Sequence, residues 1–321
     1  MASHHTLHRR SVHFPPAVTI LAAAVFLAAL VLLFAPGNLS AYPRKTFVLA
    51  GSPMTIVSWN ERDRSVTLVT FPQDMAADGT HGYGTYSFDA FWKLGEIDKK
   101  DGTVLAESMS EALGIPVAWY IGPKTGLFGQ TSDPLSRVKD VFSWSGLVSL
   151  LSGAYRTNIP FPQFVRFVWL LQLAKPSRVD TFDFVQAPDL VAQDVVIADG
   201  THQYVLDPDR VDARLAHLFE DDVVRRETVT TSVLNTTDMP SLGNRVARLL
   251  GNLGVSVVSV GNDTPEVGGC SMRGTADALK SGSAQVVKTV LGCTESVSAS
   301  SDRADLTVRV GASYAKRFLP N

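Results

Sequence analysis

The chain has 321 residues, which is enough for about two domains with a sizeable core. Its 29 basic and 31 acidic residues nearly cancel, and no long run of one sign occurs. This balance excludes the charge pattern of a nucleic-acid-binding protein, so we expect a protein or small-ligand partner and no nucleic acid.

The first predicted element is an apolar helix near the N-terminus. Eighteen residues, Ala17–Phe34, contain one polar side chain, Thr19, and would form about 27 Å of helix. This length crosses a bilayer, so we expect a cytoplasmic tail at 1–16 and a single-pass transmembrane anchor at 17–35. The bulk of the chain would then be extracytoplasmic at the cell membrane. The alternative is a cleaved signal peptide, because Leu39–Ala41 resembles a small-residue cleavage site.

Residues 45–225 predict a mixed α/β domain. A helix is expected around Leu105–Leu113, followed by two apolar helices at Val141–Leu151 and Phe164–Ala174. The apolar pair would line a lipid cleft or lie at the membrane surface, or else form core, because a helix that is apolar nearly all round is usually buried. The predicted strands of this domain are "KTFVLA" (Lys45–Ala50), "MTIVSWN" (Met54–Asn60) and "SVTLVTF" (Ser65–Phe71).

Residues 226–321 predict a smaller second domain with a βαβαβ order, and the charged segment Phe219–Glu227 is the predicted hinge between the two domains. The fold class is therefore α/β, in the mixed α+β sense, behind a transmembrane helix. The predicted elements of the second domain are strands Thr228–Asn235, Val255–Val260 and Ala304–Gly311 and helices Ser241–Gly254 and Thr275–Gly292.

The chain has two cysteines, Cys270 and Cys293, both in the second domain. Two cysteines are too few for a disulfide framework, and their spacing fits no zinc pattern. An even pair outside the membrane is a candidate disulfide, and the alternative is two small buried apolar side chains.

Common catalytic motifs are missing from the sequence. It contains no H-E-x-x-H, Walker loop, G-x-S-x-G or G-x-G-x-x-G, which removes the usual metalloprotease, NTPase, hydrolase and dinucleotide signatures. Four of the seven histidines lie in the predicted tail, so no metal cluster is expected.

Three phrases in the first domain carry a resemblance: "FPQD" (Phe71–Asp74), "YGTYSFDAFWKLG" (Tyr83–Gly95) and "EALGIPVAWYI" (Glu111–Ile121). Through them residues 46–125 resemble the core of the LytR-CpsA-Psr family of envelope proteins. The second domain is similar to the C-terminal domain often attached to such proteins, in the stretches Thr230–Asn262 and Leu306–Tyr314.

The resemblance implies a function for members whose site is intact. They move a glycopolymer from a polyprenyl pyrophosphate onto the cell wall, with arginines on the pyrophosphate, acids on a divalent metal and an apolar cleft for the lipid. Guanidinium groups bind phosphate oxygens bidentately, and carboxylate and phosphate oxygens suit Mg²⁺.

This chain departs from the pattern of that site. "GSPM" (Gly51–Met54) stands where the family has Gly-Ser-Asp-x-Arg, and Gln73 stands where the family turn has arginine. Asp74 remains as a candidate for catalysis or metal binding, against the alternative of a loop or helix cap. Ligand-contact candidates are Gln73, Asp74, Tyr83, Tyr86 and Trp92. The candidate replacement arginines are Arg62, Arg64, Arg137, Arg156, Arg166 and Arg178.

We therefore expect a membrane-anchored, non-catalytic binding or scaffolding relative of the transferases, a pseudoenzyme without a cofactor. Its partners would be the membrane, a polyprenyl phosphate lipid or cell-wall glycan, and envelope proteins that contact the C-terminal domain. The alternatives are a working glycopolymer transferase with a relocated phosphate site and Mg²⁺, and a plain structural tether. A cavity beside Asp74, and arginines that converge on it, would separate these functions.

Overall fold

The structure is a computed structural model that describes residues 42–173, 176–196, 200–298 and 304–318. Within these ranges no helix has the length and apolar character needed to cross a membrane. The predicted tail at 1–16, the predicted anchor at 17–35 and the alternative cleavage site lie outside the described residues.

The first part of the described chain is a mixed α/β domain in which strands and helices alternate. Its strands are β1 (Arg44–Leu49), β2 (Gly51–Ser52), β3 (Met54–Asn60), β4 (Ser65–Phe71), β5 (Ala76–Gly79), β6 (Gly84–Ser87), β7 (Trp119–Pro123), β8 (Phe128–Gln130), β9 (Tyr155–Thr157), β10 (Val179–Asp183), β11 (Ala192–Val196) and β12 (His202–Leu206). Its helices are α1 (Phe88–Ile97), α2 (Thr103–Leu113), α3 (Pro134–Val141), α4 (Trp144–Leu151), α5 (Phe161–Leu173) and α6 (Pro208–Phe219).

The main sheet has six strands in the order β10-β4-β3-β1-β7-β9. β1 is central, antiparallel to β3 and parallel to β7. The first three predicted strands lie within one residue of β1, β3 and β4, and nearly every residue of β3 is buried because helices cover both faces of the sheet. Helices α1 and α2 contribute to the core on one face, and α3, α4 and α5 contribute to the core on the other.

Aromatic side chains fill the layer between the sheet and α3–α5. The ring centroid of Phe47 lies 5.1 Å from that of Phe142 and 5.3 Å from that of Phe167. Phe142 also packs on Phe164 with ring centroids 4.8 Å apart. The inner faces of the two apolar helices are therefore core, which was the alternative to a lipid cleft.

A second sheet carries the segment that follows β4. Its order is β11-β12-β5-β6, and β12 runs parallel to β5 with Val205 opposite Ala76. This pairing brings residues 201–204 beside the turn that precedes β5. The strands β2 and β8 form a separate parallel pair.

The C-terminal domain has its own sheet in the order β14-β13-β17-β15-β16. Its pairs are parallel except for the antiparallel pair of β17 and β15. Its elements are β13 (Thr230–Asn235), α8 (Leu242–Gly251), β14 (Ser256–Asn262), β15 (Cys270–Gly274), α9 (Gly282–Leu291), β16 (Thr294–Val297), β17 (Leu306–Val310) and α10 (Ala312–Ala315), after a short linking helix α7 (Asp222–Arg226).

The predicted βαβαβ order is incomplete, because β15 and β16 were not predicted. β16 is exposed at all four residues, so it has no alternating apolar pattern, and β15 is short and follows two glycines. The predicted helix Thr275–Gly292 is also interrupted. Ser281 has extended backbone angles (φ −65°, ψ 160°), and its side chain accepts a hydrogen bond from the Ala284 N–H at the start of α9.

The structure joins Cys270 and Cys293 in a disulfide, with Cα atoms 4.3 Å apart. Cys270 begins β15, and Cys293 lies one residue before β16, its parallel neighbour. Both side chains are buried. The bridge therefore fixes the edge strand to the rest of the sheet.

The segment predicted as a hinge, Phe219–Glu227, is a packed linker. Asp221 is 4% exposed, and its N–H donates to the Leu253 carbonyl at 3.1 Å. The Arg62 guanidinium donates to the Asp221 carboxylate at 2.5 Å. Asp221 therefore has partners within the fold, whereas Asp222, Arg225 and Arg226 of the same segment are exposed, and hinge motion at this segment stays a prediction.

Candidate functional site

The Pro-Gln-Asp turn lies between β4 and β5, with the side chains of Gln73 and Asp74 exposed. The Gln73 carbonyl accepts the Asp89 N–H at 3.0 Å, and the Met75 carbonyl accepts the Phe88 N–H at 3.0 Å. These two N–H groups lie in the first turn of α1, where they have no partner within the helix. The main chain of the turn therefore caps α1.

A pocket of about 300 Å³ lies beside Asp74. It is lined by Pro72, Asp74, Met75 and residues 201–204, which the pairing of β12 with β5 brings together. Among these residues His202 is the basic one, and its ring Nδ1 lies 2.9 Å from an oxygen of Asp194. No arginine or lysine is among the residues of the described chain that line this pocket.

The described lining of the same pocket offers few ligands for a magnesium ion. Among the described residues, Asp74 is the one carboxylate, beside the hydroxyl of Thr201 and the amide of Gln203. Across the described ranges no three His, Cys, Asp or Glu side chains come together in a way that could hold a metal ion. A divalent ion that is held by few carboxylates depends on phosphate oxygens from its ligand.

The three aromatic candidates lie outside the lining of the Asp74 pocket. Trp92 is 2% exposed and packs on Tyr120 in the core, and its role as a ligand contact stays a prediction. The Tyr83 hydroxyl donates to Asp98, and desolvation together with this carboxylate raises the pKa of Tyr83 to about 12. Tyr86 is 46% exposed beside Phe91. None of the three lines the Asp74 pocket.

The six candidate replacement arginines do not converge on Asp74. Arg62 binds Asp221, and Arg64 lies in the β3–β4 hairpin with a left-handed φ of 57°. The others pair as follows: Arg137 with the Phe128 ring, Arg156 with Glu96 and Asp101, Arg166 with Glu61, and Arg178 with the Asp63 carbonyl.

The densest polar arrangement lies where α2 meets α8, and the sequence did not predict it. Arg248 on α8 binds both oxygens of Asp212 at 2.7 and 2.8 Å. It also donates to the carbonyls of Glu111 and Ala112 at 2.9 and 3.1 Å. One guanidinium thus satisfies carbonyl groups at the C-terminal end of α2 and joins the two domains.

Gly114 completes this contact, which we call the Arg248 joint (Glu111–Gly114, Asp212, Arg248 and Asn252). Gly114 ends α2 with a left-handed φ of 62°, and its carbonyl accepts a hydrogen bond from Asn252 at 3.1 Å. A Cβ atom there would lie 2.7 Å from the Asn252 amide and 2.9 Å from the Arg248 guanidinium. The glycine of the phrase "EALGIP" therefore permits both the helix end and the contact between the domains.

A second pocket of about 300 Å³ opens beside the joint, lined by Asp78, Glu111, Arg245 and Arg248 among others. Burial raises the pKa of Glu111, and the nearby charges of Arg245, Arg317 and Arg248 offset part of that increase. The Arg245 guanidinium lies 4.7 Å from the centre of the Phe318 ring. Three arginines that the sequence pattern did not single out, Arg245, Arg248 and Arg317, thus lie near Glu111.

The fold and these contacts define a two-domain mixed α/β protein. A family model described as LytR cell envelope-related transcriptional attenuator matches residues 228–314, which confirms the resemblance predicted for the C-terminal domain. No curated protein matches the chain in a sequence comparison.

Solved structures with a similar chain course include members of the family that the first-domain phrases predicted. The Bacillus subtilis regulator YvhJ has 10% identity and a TM-score of 0.38, and the match covers 54% of this chain and 94% of YvhJ. TagT bound to LI-WTA has 13% identity and a TM-score of 0.38, and the match covers 53% of this chain and 87% of TagT. The LytR-CPS2A-psr family protein YwtF (TagT) with bound octaprenyl pyrophosphate lipid has 11% identity and a TM-score of 0.36. The match covers 54% of this chain and 88% of YwtF. Because these TM-scores are below 0.5, no statement about the activity of this chain rests on them.

Proposed function

We propose that the chain is a non-catalytic binding or scaffolding protein of the cell envelope, anchored in the membrane with its bulk outside the cell. The observation that carries this proposal is the lining of the Asp74 pocket, whose described residues include no arginine or lysine. Binding a pyrophosphate takes several fixed charges, because each charge-assisted hydrogen bond contributes about 1.5–3 kcal/mol and a neutral one about half of that.

The Arg248 joint supports a scaffolding role. It holds the C-terminal domain against α2 through one guanidinium, one carboxylate and main-chain carbonyls. The first domain would then position the C-terminal domain for an envelope partner. A polyprenyl phosphate lipid or cell-wall glycan is the proposed ligand, as the resemblance of residues 46–125 implies.

The pocket beside the joint favours the alternative function, a glycopolymer transferase with a relocated phosphate site. Arg245 and Arg248 supply two guanidinium groups, and Asp78 and Glu111 supply carboxylates. Most donors of Arg248 are already engaged, which leaves Arg245 as the side chain that a phosphate would depend on.

The full chain, reconstituted in vesicles with Mg²⁺ and a polyprenyl-pyrophosphate glycan, tests these functions. We expect it to bind the glycan or the lipid chain without a dedicated pyrophosphate contact, and neither to transfer nor to hydrolyse the compound above background. Turnover that is lost in Asp74→Ala would overturn the proposal, and turnover lost in Arg245→Ala alone would establish the alternative. If the chain neither binds the compound nor turns it over, the binding role is overturned and a structural tether is the remaining function.

The proposed anchoring has its own test. We expect the full chain to remain in the membrane fraction after salt washing, because Ala17–Phe34 would expose a long apolar surface in water. Recovery of a soluble mature chain that begins at Tyr42 would contradict it.

A further inference from the structure

An apolar stripe follows the outer face of α4. Trp144, Val148 and Leu151 are 73%, 66% and 69% exposed, and their spacing of four and three residues places them on one side of the helix. Phe161, at the start of the neighbouring helix α5, is 49% exposed. We call these four side chains the α4 stripe.

The packing of α4 against the core keeps the α4 stripe facing solvent. Leu147 and Leu150 of the same helix pack against the aromatic core, which fixes the rotation of α4. The Ser143 side chain accepts the Gly146 N–H at 3.1 Å and caps the helix. A Cβ at Gly146 would lie 1.9 Å from the Val141 carbonyl, so the close approach of α4 to the end of α3 requires glycine at this position.

The segment that carries the stripe is basic in an otherwise acidic chain. Residues 124–178 contain seven basic and two acidic residues, whereas the whole chain has a net charge of −2. Arg156 and Arg166 pair with acids from outside the segment, and without these two the basic residues still exceed the acidic ones by three. Lys124 is exposed, and its N–H donates to the Ala154 carbonyl shortly after the end of α4. An apolar stripe within a basic segment is typical of a helix that lies in a membrane interface.

The start of the described chain is linked to α5 through Glu61. The Pro43 carbonyl accepts the Glu61 N–H at 3.0 Å, and the Glu61 carboxylate lies 3.4 Å from the Arg166 guanidinium of α5. Seven residues connect Phe34 to Tyr42, and they can span at most about 25 Å. A bilayer that holds the apolar run is therefore within reach of this side of the domain.

We propose that the α4 stripe lies on an anionic lipid bilayer, with its apolar side chains at the boundary of headgroups and acyl chains and the surrounding bases on anionic headgroups. The inference rests on the proposed anchoring and is independent of whether transfer occurs. Such docking would set the orientation of the first domain at the membrane, which an anchor of one helix does not do.

A fluorophore at a single new thiol tests this docking, because the two natural cysteines are joined. The probe site is Val148→Cys. The matched control is Ile97→Cys, which is 71% exposed on α1, on the other face of the main sheet. Full chains carrying an environment-sensitive dye are reconstituted in phosphatidylcholine vesicles with or without phosphatidylglycerol, using acyl chains that are brominated or not.

We expect a blue shift and bromine quenching at position 148, both greater with phosphatidylglycerol, and neither at position 97. Equal, water-like emission at the two positions would overturn the inference while leaving the anchor standing. A blue shift at 148 that increases with the protein-to-lipid ratio and is not quenched by bromine would assign the stripe to a second copy of the chain and overturn it too. A chain that does not co-sediment with vesicles would contradict both proposals.

Discussion

Two phrases that carry the same family resemblance have different surroundings in the structure. The Asp74 turn faces solvent, and its side chains line a pocket without arginine or lysine. The phrase "EALGIP" ends at the Arg248 joint, where carbonyl groups, a left-handed glycine and a salt bridge contact one another. The difference places a dense set of polar contacts at the Arg248 joint between the domains and leaves the Asp74 turn at the surface.

The largest expected effect is on the stability of the C-terminal domain, which supplies Arg248 and Asn252 to the Arg248 joint. Replacing Cys270 and Cys293 together by serine opens a loop of 23 residues and should lower the free energy of unfolding by about 3 kcal/mol in the chain-entropy model. The full wild-type chain, denatured without reductant, should react with no thiol reagent. Two reactive thiols would contradict the pairing.

Arg248→Ala tests the joint directly. It removes the guanidinium donor from two carbonyls and from the Asp212 carboxylate, which keeps its hydrogen bond from Asn252, so we expect a loss of about 2 kcal/mol, measured by denaturant unfolding of the full chain in detergent. The control is Arg226→Ala, since Arg226 is 76% exposed and lies 4.0 Å from Asp222. Its effect should stay below about 0.5 kcal/mol. Equal losses in the two variants would mean that the joint adds no stability.

Gly114→Ala separates backbone strain from contact between the domains. Gly114 and Gly126 both have left-handed φ angles, of 62° and 69°, but a Cβ at Gly126 meets nothing within 4 Å. Both alanine variants should lose about 1 kcal/mol from the left-handed backbone. Gly114→Ala should lose about 1 kcal/mol more, because its Cβ displaces the Asn252 and Arg248 side chains. Losses that match within error would contradict the tight fit.

Glu111→Gln should reveal how the contribution of Glu111 to the free energy of unfolding depends on pH. Burial raises the pKa of Glu111 above its usual 4.5, so the folded state holds the proton more tightly than the unfolded state. The stabilising contribution of this group is complete below pH 4.5 and is lost as the pH rises through the folded pKa. Glu111→Gln should therefore be slightly more stable than wild type at neutral pH, and the gain should vanish towards pH 4.5. Parallel pH profiles for the two chains would contradict this.

The smallest effect is expected at the turn. Asp74→Ala removes an exposed side chain and should change the free energy of unfolding by less than about 0.5 kcal/mol. A loss of 2 kcal/mol or more would mean that the pocket is a stabilising part of the fold, and the comparison with the joint would no longer hold.

Local pattern predicted the elements of this fold better than it predicted their contacts. β3 and β4 match their predicted bounds because apolar runs between turn residues are a local signal, whereas exposed β16 has no such signal. The Arg248 joint links residues more than a hundred positions apart, and "NRVARLLG" alone indicates only an amphipathic helix. A left-handed glycine after "EAL" could have been predicted as the end of α2.

The site was less predictable than the fold for the same reason. The Asp74 pocket depends on residues 201–204, which reach the turn through a parallel strand pair that joins distant parts of the chain. The burial of Trp92 could not be predicted, because an aromatic residue on an amphipathic helix has the same pattern whether it faces a ligand or the core.

The central position of β1 has a mechanical consequence. A pull applied to the chain ahead of Tyr42 acts along β1, which is hydrogen-bonded to β3 on one side and β7 on the other. Ladder hydrogen bonds run across the strands, so such a force loads them in shear, and many must break together before the strand slides. A domain tethered in this way resists detachment by tension better than one held by an edge strand, whose bonds on a single side would carry the whole load.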